Sequence, residues 1–470
     1  MKKLAALFIL LSIILSLFSC NNPSNTPEGG EEEEQNHSYS FINGVNLENF
    51  AIVYSDEDHD YSKRAAEYIQ AEILERTELN LPIVEDSAES VSEYEIVVGN
   101  TEREISDQLD AETDGLEFAI LADEKSVALE GDYFIIAAAA YYFIETYVPD
   151  DDFDAHIPKE VSVHVPIVKE AKNYILLIGD GMGVYQTKMF DYMENNIEYG
   201  DGEGFFYGEL LPYNGYSRTE SLSGVTDSAA GGTALACGVK TYNEYVGRDK
   251  NGNDVKSLTE LAFEFCKSTG VMSTENRTGA TPSTFSAHAD NRDSNSAILE
   301  SQTKTMQEYG TVIDCGYDYY NTRYMKVIEK HILDTVSKLE ANENGFFLMY
   351  EEAHIDKHCH DNDLESTFKA VVRFNQAIAR FMEYAFYNPN TFILITADHE
   401  TGGLYPDENG VLQYTTENHT ADYVPIFAYG DGAELFDGVE IENIQIAHTI
   451  ASLMGVEDFG DQSVYKHLEK

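Results

Sequence analysis

Ser228 lies in the stretch Ser223–Thr241, SGVTDSAAGGTALACGVKT, where an acid, a hydroxyl and a run of small residues follow one another. Asp227 or Ser228 can cap a helix whose body is Ala229 to Cys237, because a short oxygen-bearing side chain accepts from the free N–H groups of a first turn. Those N–H groups and the positive end of the helix dipole then face whatever lies beside Ser228, an environment that suits a phosphate. An ordinary capped helix explains the same string, so the chemistry depends on what the rest of the chain brings to it.

Several segments bring acids and histidines. Asp180 follows the apolar run Tyr174–Ile178 in KNYILLIGDGMG; GDGMG does not complete a dinucleotide fingerprint, and a metal-binding aspartate is the better reading. GFFLMYEEAHIDKHCHDND sets Glu351, Glu352, His354, Asp356, His358, His360 and Asp361 directly after a second apolar strand. Carboxylates and imidazoles in such proximity suit zinc and magnesium, although not all of these can be ligands, and Cys359 among them is read as a bystander. TFILITADHETGG repeats the theme with Asp398 and His399, and TENHTADYVPIFAYG places His419 just before another strand. Arg292, in TPSTFSAHADNR, has the planar fork that grips two phosphate oxygens if the fold carries it to Ser228. Three strand ends bearing Asp, Glu or His match the way ligands gather at the carboxyl ends of strands in open α/β sheets.

The elements that must hold these groups follow from periodicity. SLTELAFEFCKSTG predicts a helix stopped by Gly270, followed by a strand at VMSTE. A helix starts at Pro282 and carries Arg292 near its end. Leu364 to Phe386 is a long helix with Phe368, Val371, Ile378 and Met382 on its core face, and IENIQIAHTIASLMG closes the chain with another. Ahead of this unit, residues 41–168 alternate short strands (FAIVYS, EIVVGN) with amphipathic helices. YSKRAAEYIQAEILERT puts Ala66, Ile69, Ile73 and Leu74 on one face, a hairpin turns at Asp123 to Lys125, and a second helix spans Tyr133 to Tyr147. This is a small α/β layer domain without a catalytic constellation.

At 470 residues the chain has room for two or three domains. Residues 1–20 read as a secretory signal, with Lys2 and Lys3 before an apolar run and LFSC at its end, too short for a confident membrane span. LFSC resembles a bacterial lipobox, which implies lipid on Cys20 and an exported protein anchored to the membrane outside the cytoplasm; an ordinary cleaved signal is the alternative. Residues 21–40 are a polar, acidic tether that buries too little apolar surface to order itself. The remaining cysteines, Cys237, Cys266, Cys315 and Cys359, are too few for a disulfide framework, leaving room for at most one exported pair. Eighty-four acids against thirty bases give a net charge of −54, which argues against nucleic acid or an anionic membrane surface as partner. An anionic substrate then needs local positive charge from metals or a committed arginine. The sequence carries no signal for an oligomeric state.

Taken in order, ILLIGDGMG, TDSAAGGTA, ATPSTFSAH with the following Arg292, EEAHIDKHCH, TADHETGG and NHT resemble the alkaline phosphatases over roughly Lys172 to Met454. The resemblance implies a three-layer α/β catalytic domain with a largely parallel central sheet over residues 170–470, and phosphate-monoester hydrolysis through a phosphoserine. It implies Ser228 as nucleophile and Arg292 as phosphate clamp, Asp180, Asp398 and His399 around one zinc, and Asp356, His360 and His419 around the other. Thr281 and Glu351, with Asp180 bridging, are implied as magnesium ligands, and Lys357 as a phosphate-binding residue. The substrate class is a small phosphate ester, with a phosphodiesterase of the same superfamily as the alternative. Two residues before Thr281, where relatives usually carry aspartate or histidine, stands Gly279. The magnesium site is therefore expected to bind weakly and to tighten on Gly279→Asp, unless a nearby acid such as Glu352 or Asp290 compensates. Residues 41–168 resemble the accessory domain of some secreted glycoside hydrolases, which implies a spacer or a glycan contact; a glycan-binding lipoprotein with an inactive phosphatase domain is the reading from another class.

Overall fold

In the computed structural model the described residues are 39–56, 60–88, 92–109, 115–148, 157–193, 204–316, 324–463 and 465–468. Cys20, the signal segment and almost all of the tether lie outside them. The chain divides between Ile167 and Val168 into two compact units.

The first unit is a six-stranded sheet in the order Ile83–Glu85, Phe50–Tyr54, Tyr94–Val98, Ser126–Glu130, Phe118–Ala122, Ser162–His164. Its first four strands are parallel and the last two pair antiparallel. Ala66, Ile69 and Ile73 are buried on the helix Tyr61–Thr77, which packs against the helix Ile136–Tyr147. Leu74, expected on the same face, is only half-buried. Arg103 ties the sheet edge together, bridging Asp86 at 2.6 Å and Glu95 at 3.2 Å.

The second unit is built on eight strands: β1 (Asn173–Gly179), β2 (Tyr213–Arg218), β3 (Ser268–Ser273), β4 (Val312–Cys315), β5 (Phe346–Glu352), β6 (Thr391–Thr396), β7 (Val424–Tyr429) and β8 (Glu440–Glu442). Their order is β4-β3-β5-β1-β6-β7-β2-β8, and β7 alone runs against the rest. Its helices include α1 (Ser228–Cys237), α2 (Leu258–Glu264), α3 (Ala280–Thr284), α4 (His354–His360), α5 (Leu364–Tyr387) and α6 (Ile444–Leu453).

β1 is buried along its whole length and is an unbroken apolar run after Asn173, because both of its faces are covered as in other parallel sheets. Tyr174, Leu176 and Ile178 join a core with Leu235 of α1, Leu261 of α2 and Ile446 and Ile450 of α6. On the opposite face, Tyr350 of β5 stacks on Phe374 of α5 with ring centroids 6.3 Å apart and tilts onto Phe381 at 5.5 Å. Burying rings of this size contributes on the order of 2–3 kcal/mol each. The result is helix, sheet and helix in three layers.

Two expected boundaries shift. The helix predicted to stop at Gly270 ends at Glu264, Cys266 takes a positive φ of 57°, and Gly270 lies inside β3. A side chain at Gly270 would collide with Leu339 and Leu348 at 2.8 Å, so this glycine serves packing rather than chain termination. The helix predicted from Pro282 toward Arg292 is the single turn α3, and Arg292 sits beyond it in a loop, its N–H donating to the Glu244 carbonyl at 2.9 Å. The four cysteines among the described residues are all free, so the allowed disulfide is not formed among them. No helix among the described residues is long and apolar enough to cross a membrane.

Candidate active site

Parallel strands β1, β5 and β6 end on one edge of the sheet, which brings Asp180, Glu351 and Asp398 to the same place. β7 begins on that edge because it runs the other way; the Thr396 hydroxyl of β6 donates to the Pro425 carbonyl of β7 at 2.9 Å. That reversal carries His419, just ahead of β7, to the carboxyl ends of the other strands.

α1 delivers the hydroxyl. Asp227, rather than Ser228, is its cap: Oδ1 accepts from the Ala230 N–H at 2.9 Å. Its Oδ2 accepts from the Glu244 N–H at 3.0 Å and from the Arg292 guanidinium at 3.3 Å. Ser228 thus occupies the first helical position with its hydroxyl outside the cap, 3.1 Å from His399 Nε2. The small residues of α1 are a packing requirement. A Cβ on Gly231 would stand 2.7 Å from the Asp398 carbonyl oxygen, and one on Gly232 would stand 2.8 Å from Thr284 Oγ1. Gly181 allows a similar approach, with φ of +73° and a Cβ position 2.8 Å from the Asp356 Cα. Gly231→Ala is expected to push the Asp398 backbone away from α1 and to lower turnover at least tenfold, with a stability loss of about 1–3 kcal/mol from overpacking. Steady-state kinetics and denaturant melts of the variant check both.

Histidine tautomers follow from what each Nδ1 meets. His360 Nδ1 lies 2.5 Å from the Glu417 carbonyl and His419 Nδ1 2.8 Å from the Thr226 carbonyl, so each must donate there. Thr401 gives its proton to Asp356 Oδ1 at 2.6 Å and accepts from His399 Nδ1 at 3.2 Å. All three rings therefore turn Nε2 inward. His360 Nε2 and His419 Nε2 face each other at 3.1 Å and lie 3.3 and 3.4 Å from Asp356 Oδ1. His399 Nε2 lies 3.4 Å from both Asp180 Oδ1 and Asp398 Oδ2. Each set is an imidazole lone pair or pair of them opposed to carboxylate oxygens, which calls for a cation between. Asp180 Oδ1 and Glu351 Oε1 are buried with no hydrogen-bond partner. These donor sets fit divalent metal ions of the zinc and magnesium kind.

The electrostatics agree. Burial, with Asp398 and Asp356 nearby, raises the Asp180 carboxyl well above its usual range. Burial and Asp356 push Asp398 up to about 7. Burial and the Glu275 charge push Glu351 up to about 8. Burial would also raise Asp356, but hydrogen bonding with His419 and the charge of that ring hold it low instead. Burial, followed by the His419 charge, keeps His399 well below the usual imidazole value, as a metal ligand must be.

The dense cluster begins inside β5, whose last two residues are Glu351 and Glu352, rather than after it, and of its members Glu351, Asp356 and His360 reach the site. Glu352 instead accepts from the Thr274 hydroxyl at 3.2 Å and the His354 N–H at 3.1 Å. Asp361 is exposed, and Cys359 contacts Gln186, Tyr414 and Thr367. Thr281 is buried, its hydroxyl 3.5 Å from Asp398 Oδ2. Lys357 Nζ donates to Glu275 Oε1 at 2.8 Å. Thr401, which fixes Asp356 and His399 together, and Glu275 were not singled out by sequence reasoning.

Residues 171–328 and 321–413 match the alkaline phosphatase family model, and the chain belongs to that family. Alkaline phosphatase 3 of Bacillus subtilis is 28% identical over 62% of this chain and 75% of its own length. Alkaline phosphatase 4 of the same organism is 30% identical over 53% of this chain and 65% of its own. The solved alkaline phosphatase of the Antarctic bacterium TAB5 is 26% identical, with a TM-score of 0.53 over 62% of this chain and 99% of that one. A variant of that enzyme has been solved with Mg bound in its M3 site. The protein is a hydrolase of the phosphatase superfamily.

Proposed function

We propose that this protein hydrolyses phosphate monoesters through a phosphoserine formed on Ser228, at a site for two zinc ions with a magnesium ion beside it. The observation that carries the reading is the Ser228 hydroxyl at the start of α1, 3.1 Å from His399 Nε2, with Asp180 and Asp398 converging on the same nitrogen. Asp180, Asp398 and His399 are the ligands of the zinc next to Ser228, and Asp356, His360 and His419 those of the other. Thr281, Glu351 and Asp180 hold the magnesium, in keeping with the Mg bound in the TAB5 variant. Zinc in these sets supplies positive charge that lowers the pKa of a hydroxyl beside it and offsets the charge of a departing alkoxide.

The chain's own groups do the rest. Arg292, tied to Asp227, offers its remaining N–H groups to two phosphoryl oxygens, and the first N–H groups of α1 point at the same charge. His399, kept neutral by burial, turns the lone pair of Nε2 rather than a proton toward Ser228 and the metal position beside it. Lys357, paired with Glu275 at 2.8 Å, adds a cation for the phosphate. Outside the cytoplasm, lipid on Cys20 and the acidic tether hold the enzyme at the membrane, and residues 41–168 act as spacer or glycan contact.

Acid quenching during turnover of a phosphate monoester, followed by peptide mass spectrometry, is expected to find phosphate on Ser228. Parallel assays are expected to favour monoesters over diesters. Phosphate on another residue or on none, or a higher kcat/KM for diesters, overturns the reading.

A further inference from the structure

Gly279 has an ordinary backbone, with φ of −54° that any residue adopts, so conformation does not demand a glycine there. Space does. A Cβ at Gly279 would lie 2.8 Å from Glu275 Cγ, 2.9 Å from Glu275 Oε2 and 3.0 Å from the Asn276 carbonyl oxygen. The Glu275 side chain therefore occupies the volume that a side chain at 279 would need, two residues ahead of Thr281.

The neighbours of Glu275 belong to the site. Its Oε1 accepts from Lys357 Nζ at 2.8 Å. Its backbone N–H donates at 2.9 Å to Ser273 Oγ, which in turn donates to Glu351 Oε2. Glu351 Oε1 and Asp180 Oδ1, both deeply buried, are left with no hydrogen-bond partner and lie within the field of the Glu275 carboxylate. The acids otherwise able to compensate are engaged elsewhere: Asp290 is an exposed partner of Arg248, and Glu352 accepts from Thr274 and His354.

We propose that Glu275, reaching in from the end of β3, replaces the side chain missing at Gly279: it supplies the anionic charge that completes the magnesium site and holds Lys357 toward the substrate. This rests on the magnesium site of the proposed function. Glu275 is a positioning residue, acting on the cation through water and on phosphate through Lys357. Magnesium keeps several waters, so an outer carboxylate that accepts from them both orients them and adds charge. An aspartate at 279 meets the Glu275 side chain in the native chain, and shortening Glu275 removes the two nearest of its contacts.

The test is calorimetric titration of magnesium into zinc-loaded protein, with no substrate present, for the native chain, Glu275→Gln, Gly279→Asp and the double variant Glu275→Ala/Gly279→Asp. Glu275→Gln is expected to weaken magnesium binding about 10- to 100-fold, the scale seen for partners of metal ligands. The double variant is expected to recover most of that loss, and Gly279→Asp alone to bind no more tightly than the native chain. Phosphoserine trapping on the same preparations reads the catalytic assignment separately, since it does not depend on the titration. Unchanged affinity in Glu275→Gln, no saturable magnesium uptake by the native protein, or no recovery in the double variant overturns the proposal.

Discussion

Ser228→Ala is expected to abolish phosphoenzyme formation and lower kcat by about 10³-fold or more, while the protein stays within about 1.5 kcal/mol of the native chain in stability. The two halves of this expectation rest on one structural fact: the cap and the nucleophile are adjacent but separate residues. Asp227 accepts from the Ala230 N–H and the Arg292 guanidinium, so removing the Ser228 hydroxyl leaves the helix start and the arginine in place. Ser228 is buried and its hydroxyl meets His399, so a methyl group fills the space without opening a large cavity. Asp227→Ala is the informative contrast, since it removes the cap and the Arg292 partner together and should cost about 1 kcal/mol in stability as well as turnover. Thermal or denaturant melts alongside single-turnover kinetics separate the two. A Ser228→Ala protein that still forms phosphoenzyme, or that loses several kcal/mol of stability, contradicts the assignment.

How far the sequence predicts this arrangement depends on the range of the interaction. Asp180, Asp398 and His399 stand just past strands whose centres, residues 174–178 and 392–395, are unbroken apolar runs, and such a run announces both its burial and its carboxyl end. The position of His419 required knowing that β7 reverses, which no local pattern encodes. Arg292 was recognised for its chemistry, but the predicted helix that was to carry it is a single turn; the loop is held by the Glu244 carbonyl and by Asp227, both distant in sequence. Thr401 escaped notice because a threonine two residues after a histidine is unremarkable until Asp356 arrives from another strand. Glu275 was hidden by a boundary error. With the preceding helix run on to Gly270, VMSTE reads as a strand that contains Glu275, whereas β3 ends at Ser273 and leaves this acid beyond its carboxyl end, as with β1 and β6. The Gly279 gap and the Glu275 carboxylate are two halves of one feature, visible together only when a Cβ is placed on the glycine.

Metal removal is expected to abolish turnover and to change how stability depends on pH. Without metal, the folded site keeps Glu351 protonated up to about pH 8 and Asp398 up to about pH 7, and Asp180 is raised as well. The unfolded chain releases those protons near pH 4. Between about pH 4 and 8 the native state thus binds more protons than the unfolded one, so the contribution of these groups to stability is present at low pH and is lost as pH rises through the folded values. His419, raised through Asp356 in spite of burial, acts in the same direction. His399, held neutral chiefly by burial, acts oppositely below about pH 6.5 and adds nothing to the slope above it. Asp356, lowered, matters only below about pH 4. Metal ions bind the deprotonated carboxylates and release their protons, so the stabilisation they bring grows with pH over this window. The measurement is the melting temperature of chelated and of zinc- and magnesium-loaded protein at pH 5 and pH 8, with activity read on the same samples. The metal-induced rise is expected to be larger at pH 8, and activity to return on adding zinc. An equal rise at both values, or full activity in protein shown metal-free by elemental analysis, contradicts the assignment of these carboxylates as ligands.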